Sequence, residues 1–579
     1  MFKMKKAMLQ ALLFSAFAVV SPLQAIADET PIIRYADRFV PIIAKNGMVA
    51  SQEAIATKVG VDILKQGGNA VDAAVAVGFA LAVTFPQAGN IGGGGFMMVH
   101  LAKDNKTIAI DYREMAPAAA HRDLYLDENG DVDNRRARFS HQSAGVPGTV
   151  AGLIHALENY GTMTLKQVIA PAVALAEDGF TLAYSLESSL LARKERLSRN
   201  PAAKKALFKP DGSHYQFGET LKQPDLAQTL KAIRDKGFDG FYKGSVADLI
   251  VKEMKANDGL ITHKDLENYK VVEREAIKGS YKGYDVLTMP PPSSGGVHIV
   301  QMMNMLENDN LKDLGHNSAA SLHLMIEAMR QAYADRSEYL GDPDYFDVPI
   351  KELIDKKYAA KLRTQIPNKK ARKSEEVKPA LDVTPESPDT THFSVMDNEG
   401  NAVSNTYTLN FSYGSHIMVS GAGFLLNNEM DDFSAKVGVA NAYGLLGAEA
   451  NAIEAGKRPL SSMTPTLVLK DGKAFMATGS PGGSTIITVV LQVLMNALEH
   501  EMNVAAATYA PRIHHQWYPD RILVEPGISA DTKALLEAWG HNLDNRRRTI
   551  GSTQSIQFRD GFFYGASDSR RHGALTLGY

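Results

Sequence analysis

A mixed α/β fold around a large buried core is what this sequence predicts, on three observations. The apolar run from Ala70 to Phe85 is interrupted only by Asp72 and followed by Pro86 and Gly89, which is the length and punctuation of a buried helix rather than a membrane span. Residues from about 150 to 340 alternate helical stretches with polar connections. From Thr390 onward the pattern switches to alternation with period two, in two runs separated by Asp397-Asn398-Glu399-Gly400-Asn401, which reads as a β-hairpin.

Composition fits this reading and narrows the function. The chain has 579 residues, 45% hydrophobic and 22% charged, so it has ordinary globular composition and enough length for more than one small core. With 62 basic and 65 acidic residues it lacks the basic excess expected of a nucleic-acid binder, and no nucleic-acid partner is expected. The absence of cysteine excludes disulfides, thiol catalysis and cysteine-based metal centres. The adjacent His514 and His515 do not share a helical face, so they read as a core or turn pair, and no metal is expected.

Taken in order, the first segment reads as a secretion signal. Lys3, Lys5 and Lys6 precede an apolar stretch from Ala7 to Val20, and Ala25-Ile26-Ala27 offers small residues for cleavage after Ala27. A mature protein starting at residue 28, located in the periplasm, is therefore expected, with no stable membrane span left. The glycine run Gly92 to Gly95 reads either as an anion cradle or as close backbone approach; without a following Gly-Lys-Ser/Thr the second is favoured. Asp111 to Pro117 carries Arg113 at a strand end, suited to a carboxylate ligand or to a surface ion pair. Pro290 to Gly296 is a loop leading into an apolar helix from Val297 to Leu306.

Gln365 to Asp389 is rich in Lys, Glu, Pro and Ser and reads as an exposed, mobile linker. It ends where the hairpin begins, with Thr390 at the junction. A threonine hydroxyl is a weak nucleophile until a base takes its proton, and the residue's own α-amine serves only if Thr390 becomes a chain terminus. Such an amine has a pKa near roughly 7.7–8.0, so part of it is neutral near physiological pH. Cleavage between Asp389 and Thr390 would create it, with the opening strand holding the nucleophile at the edge of a sheet.

Thr-Thr at a strand start is ordinary by itself; three downstream clusters give it company. Gly479 to Ser484 precedes an apolar helix from Thr485 to Leu498, and reads either as a helix-entry turn or as a set of N–H donors for an oxyanion. Asn427 to Phe433 gathers amides and carboxylates that suit an ammonium group or a solvated turn. Arg458 to Met463 offers hydroxyls for a carboxylate or makes a structural turn. Together they suggest an α-amino acid head group.

These segments, Thr390 to Ser394, Asn427 to Phe433, Arg458 to Met463 and Gly479 to Ser484, resemble the γ-glutamyltransferase (γ-glutamyl transpeptidase) family in order and spacing, most closely its periplasmic Gram-negative members. The resemblance runs from about Met48 to Tyr579. It implies an N-terminal nucleophile hydrolase fold, an αββα sandwich with two stacked sheets between helical layers. It implies a precursor cut into a large subunit, residues 28–389, and a small subunit, 390–579, forming one intertwined catalytic domain.

The resemblance also implies roles. Thr390 would be nucleophile and, through its amine, base; Thr408 would hydrogen-bond that amine; Gly482 and Gly483 would supply oxyanion donors. Arg113, Ser461 and Ser462 would bind the donor's α-carboxylate, and Asn410, Glu429 and Asp432 its α-amino group. Residues from Val437 to Ala448, with Tyr443 near the middle, would form a lid. The expected reaction is cleavage of the γ-glutamyl amide of glutathione, glutamine and related compounds, with transfer to water or to amino acid or dipeptide acceptors and no cofactor. Asp568-Ser569-Arg570 departs from relatives that carry proline at the middle position. Two other readings stay open: a glutaryl-type acylase of the same fold, and an uncut, non-catalytic periplasmic binding protein.

Overall fold

The computed structural model describes residues 39–378, 390–436, 438–439, 441–442, 444–544 and 546–579. The expected signal segment and the bond between Asp389 and Thr390 lie outside them. Residues 41–579 form one compact unit.

Fourteen strands build two seven-stranded sheets. In chain order they are β1 (Ile42–Ala44), β2 (Gly47–Ser51), β3 (Gly94–Leu101), β4 (Lys106–Tyr112), β5 (Val272–Arg274), β6 (Ile277–Tyr281), β7 (Tyr284–Thr288), β8 (Thr391–Asp397), β9 (Ala402–Thr408), β10 (Thr466–Lys470), β11 (Lys473–Thr478), β12 (Gln554–Arg559), β13 (Phe562–Ser567) and β14 (Leu575–Gly578). One sheet runs β1-β13-β12-β11-β10-β7-β6 and the other β14-β2-β8-β9-β3-β4-β5. The pairings within both are antiparallel.

Both faces of the second sheet are covered. Along β8, Phe393 and Val395 point into the cluster shared with the helices α1 (Ala54–Lys65) and α2 (Ala70–Thr84), while Met396 joins the cluster between the sheets. This is the two-residue period of a pleated strand with apolar partners on each side. On the far side of the first sheet lie α3 (Gly295–Leu306) and α4 (Thr485–Leu498), packed on each other. The result is the αββα sandwich expected from the sequence.

Local chemistry explains the elements. Asn69 caps α2 and Asp72 bonds back to the Asn69 N–H, so the one charge in that apolar run closes a capping box. The glycine run is close packing: a Cβ on Gly92 would come within 2.1 Å of the Leu425 carbonyl oxygen, and on Gly93 within 2.0 Å of that of Thr408.

Two expectations change. The strand that Thr390 precedes is an interior strand, paired on both sides by β2 and β9, so Thr390 sits at a strand end but not on a sheet edge. The stretch expected as an exposed linker is anchored as far as residue 378. Ile366 and Val377 are buried, Ser374 Oγ donates to the Trp517 carbonyl at 2.5 Å, and Trp517 Nε1 donates to the carbonyls of Ser374 at 2.9 Å and Val377 at 3.1 Å. A few apolar and hydroxyl groups in a charged sequence are enough to seat it.

Candidate active site

The β8–β9 hairpin presents Thr390 and Thr408 at its open end, with side-chain oxygens 3.5 Å apart and both residues buried. The Thr408 hydroxyl accepts the N–H of Asn410 at 2.9 Å. Asn410 has φ +74°, a left-handed conformation that asparagine tolerates, and its side-chain amide donates to the Asn428 carbonyl at 2.9 Å. The turn after β9 is thereby fixed next to Thr408.

Thr390 lines a cavity together with Arg113, Arg336, Thr408, Asn410, Glu429, Asp432, Leu445, Ser461, Ser462, Met463, Gly483, Ser484 and Ile486. Eight of the residues singled out from sequence therefore share one cavity with Thr390; Gly482 stands next to Gly483 without lining it. Tyr443, like Val437 and Ala440, lies outside the described residues. Its neighbours reach the site: Leu445 lines the cavity and Asn441 Nδ2 lies 3.4 Å from Asp432 Oδ1.

The glycine loop has the backbone that donors require. Gly482 has φ +142° and Gly483 +52°, and among the described residues neither N–H has an acceptor. Their carbonyls instead accept the N–H groups of Thr485 and Ile486, at 3.0 and 3.2 Å, at the start of α4. No side chain caps that helix, so its first turn adds positive potential to the loop. The Tyr333 hydroxyl donates to the Ser484 carbonyl and holds the loop from behind.

The charged wall is internally paired. Arg113, fully buried at the end of β4, donates to Glu429 and, at 2.6 Å, to Asp432, with Glu114 at 3.5 Å. Its guanidinium is thus already neutralised by carboxylates on the short turn Glu429–Asp432, which is buried rather than solvated. Burial raises the pKa of Glu429 and Asp432 against the lowering effect of Arg113, and pushes Glu114 up to about 7. Ser461 and Ser462 line the same cavity. Ser462 Oγ accepts from Arg336 Nη2 at 3.4 Å, and Ser461 Oγ accepts the Met463 N–H at 3.1 Å.

Sequence reasoning missed Arg336, Tyr333 and Glu114. The first two sit in the 21-residue helix Ala319–Tyr339, and Glu114 adjoins Arg113. Arg458, by contrast, is structural: it pairs with Asp111 at 2.7 Å. His514 and His515 are buried partners of Thr488 and Asp520. At the C-terminus Asp568 joins Arg512 at 2.7 Å and Arg570 at 3.0 Å, so serine in place of proline at 569 leaves that network intact.

The chain matches the gamma-glutamyltranspeptidase family over residues 56–577. It is 53% identical over 559 residues to a glutathione hydrolase proenzyme of Escherichia coli (strain K12), covering 96% of each chain. Among solved structures, it is similar to Helicobacter pylori gamma-glutamyltranspeptidase, at 46% identity and a TM-score of 0.56 over 57% of this chain and 94% of that one. It is also similar to a cephalosporin acylase from Bacillus halodurans, at 26% identity and a TM-score of 0.82 over 95% of this chain and 99% of that one. Sequence, fold and the composition of the cavity agree: the chain belongs to the γ-glutamyltranspeptidase family.

Proposed function

We propose that Thr390, freed by cleavage of the Asp389–Thr390 bond, is the nucleophile of a γ-glutamyl hydrolase and transferase. The observation that carries this reading is the sharing of one cavity by Thr390, Gly483 and a wall of carboxylates and guanidiniums. In the cut enzyme the α-amine of Thr390 takes the proton of its own hydroxyl as Oγ1 attacks the γ-carbonyl of the donor. The N–H groups of Gly482 and Gly483 stabilise the oxyanion, in an arrangement where one donor is worth about 3–4 kcal/mol. The C–N bond breaks, the proton passes to the leaving amine, and an ester to Thr390 remains. Water then yields glutamate, or the amine of an amino acid or dipeptide yields a new γ-glutamyl compound, and the hydroxyl is restored.

The carboxylates of Glu429 and Asp432, with the Asn410 side chain, suit the ammonium of the donor; Ser461 and Ser462 with the guanidiniums suit its carboxylate. A glutaryl group would leave the carboxylates without their cation, so γ-glutamyl donors such as glutathione and glutamine fit better than glutaryl amides. The basic, apolar and small-residue pattern of the first 27 residues supports export to the periplasm. Among the described residues no helix is long and apolar enough to cross a membrane.

The test is the denatured mass of the purified protein beside a Thr390→Ala variant. Two fragments in the wild type, the smaller beginning at Thr390, and one uncut chain in the variant are expected. A folded wild type that stays intact removes the N-terminal amine from the mechanism and returns the chain to the binding-protein reading.

A further inference from the structure

Ser484, the residue after Gly482 and Gly483, is held on two sides. Its carbonyl accepts from the Tyr333 hydroxyl, and its own hydroxyl donates to Gln516 Oε1 at 2.8 Å. The same amide oxygen lies 2.9 Å from His514 Nε2. Burial lowers the His514 pKa to about 4, so the ring is neutral near physiological pH. With the ring proton on Nε2, two donors meet one amide oxygen, and the NH2 end of Gln516 is turned away from them. That end donates to the Gly444 carbonyl at 3.3 Å. Gly444 belongs to a turn fastened on its other side to the carboxylates. The Ala442 N–H donates to Asp431 Oδ2 at 3.1 Å, and Asn441 Nδ2 lies 3.4 Å from Asp432 Oδ1. Asn441 Oδ1 closes the turn by accepting the Leu445 N–H at 3.2 Å. Leu445 and Ser484 both line the cavity of Thr390, and Gln516 stands behind the lining.

From this chain of contacts we infer that Gln516 is a positioning residue: it sets the aim of the Gly482 and Gly483 donors through Ser484, and makes that aim depend on the seating of the turn from Asn441 to Leu445. The inference rests on the γ-glutamyl reading and adds to it a residue outside the cavity. An amide suits the task because it accepts and donates at once, whereas a carboxylate only accepts. Transfer of the acyl group to Thr390 and hydrolysis of the resulting ester both form an oxyanion at the same donors. A misaimed loop therefore slows both steps by a similar factor. Ground-state binding of the donor's charged head, made elsewhere in the cavity, is left nearly unchanged.

The experiment follows a chromogenic γ-glutamyl anilide on the wild type, Gln516→Glu, Ser484→Ala and the double variant, with cleavage into two fragments confirmed by mass for each. Gln516→Glu keeps an oxygen for Ser484 and His514 and loses the donor to Gly444. It is expected to lower the first-turnover rate and the steady-state kcat each by about 10-fold, with KM within ~2-fold of wild type. Ser484→Ala cuts the same link from the loop side and should cost about as much. In the double variant the second change adds less than ~2-fold, because the path is already broken. An unchanged kcat in Gln516→Glu, a loss confined to KM, or two losses that multiply in full overturns the inference. Should Gln516→Glu stay uncut, Ser484→Ala decides: unchanged rates there overturn it too. A wild type that does not turn over the anilide removes the γ-glutamyl reading itself, which is a different failure.

Discussion

The Thr408 hydroxyl lies 3.5 Å from that of Thr390 while accepting the N–H of Asn410. One side chain therefore links the strand end carrying Thr390 to the turn that places Asn410 in the cavity. Thr408→Val keeps the shape and removes the oxygen. It is expected to lower kcat by roughly 10–100-fold and to slow chain cleavage, because a buried N–H loses its acceptor and the nucleophile a neighbour. Thr408→Ser should recover most of both. Steady-state rates together with fragment masses check this; a Val variant as fast as wild type would show that the hydroxyl has no part in either step.

Asp432 pairs with Arg113 at 2.6 Å and lines the cavity of Thr390. Asp432→Ala is expected to cut kcat/KM for γ-glutamyl donors by about 10²–10³-fold, the usual cost of breaking a buried charge pair, and that for a glutaryl amide by less than ~10-fold. Equal losses on the two substrates would count against the assignment of this carboxylate to the ammonium.

Tyr333 reaches the catalytic loop from the helix behind it. Tyr333→Phe loses a single hydrogen bond to the Ser484 carbonyl, and the glycine donors it steadies should become less well aimed. A fall in kcat of about 10-fold, near 1.4 kcal/mol, with KM within ~2-fold is expected from steady-state kinetics. No change in kcat would mean that the helix start alone fixes the loop.

Glu114 gives the stability a pH dependence of defined sign. Burial raises its pKa from 4.5 to about 7, so between those values the folded state binds more protons than the unfolded one. Stability from this group is complete below pH 4.5 and is lost as the pH rises through about 7. Glu114→Gln abolishes the effect, so its stability relative to wild type should improve between pH 5 and pH 8 by roughly 1–3 kcal/mol. Denaturant unfolding at the two pH values measures it. A relative stability independent of pH would show that Arg113 keeps Glu114 ionised throughout.

How much of this was legible in the sequence depends on range. The hairpin from Thr391 to Thr408 and the helix Thr485–Leu498 follow from periodicity and turn residues, which act over a few positions. The order of the strands does not, because β8 pairs with a strand more than 300 positions away, and no local pattern carries such a partner. Arg336 was hidden for another reason. Its helix buries polar residues such as His323, Glu327, Arg330 and Asp335 as well as apolar ones. With polar groups facing inward, the contrast between a wet and a dry face disappears, and a cavity-lining arginine looks like any other. The burial of Asn427 to Phe433 was equally unreadable, since a cluster of amides and acids has the composition of a surface turn until Arg113 is placed against it.

The second sheet interleaves the two halves of the chain: β14, then β2, then β8 and β9, then β3, β4 and β5. Opening the backbone before Thr390 therefore leaves each piece with strands whose neighbours belong to the other, and no boundary along which they could part. Once denatured and separated, the pieces have to find each other before any of those rungs can form. Unfolding of the precursor is a first-order affair in both directions. For the processed enzyme, recovery becomes a collision between two polypeptides, slower at every dilution, and a dilute molecule that loses its structure has little prospect of regaining it.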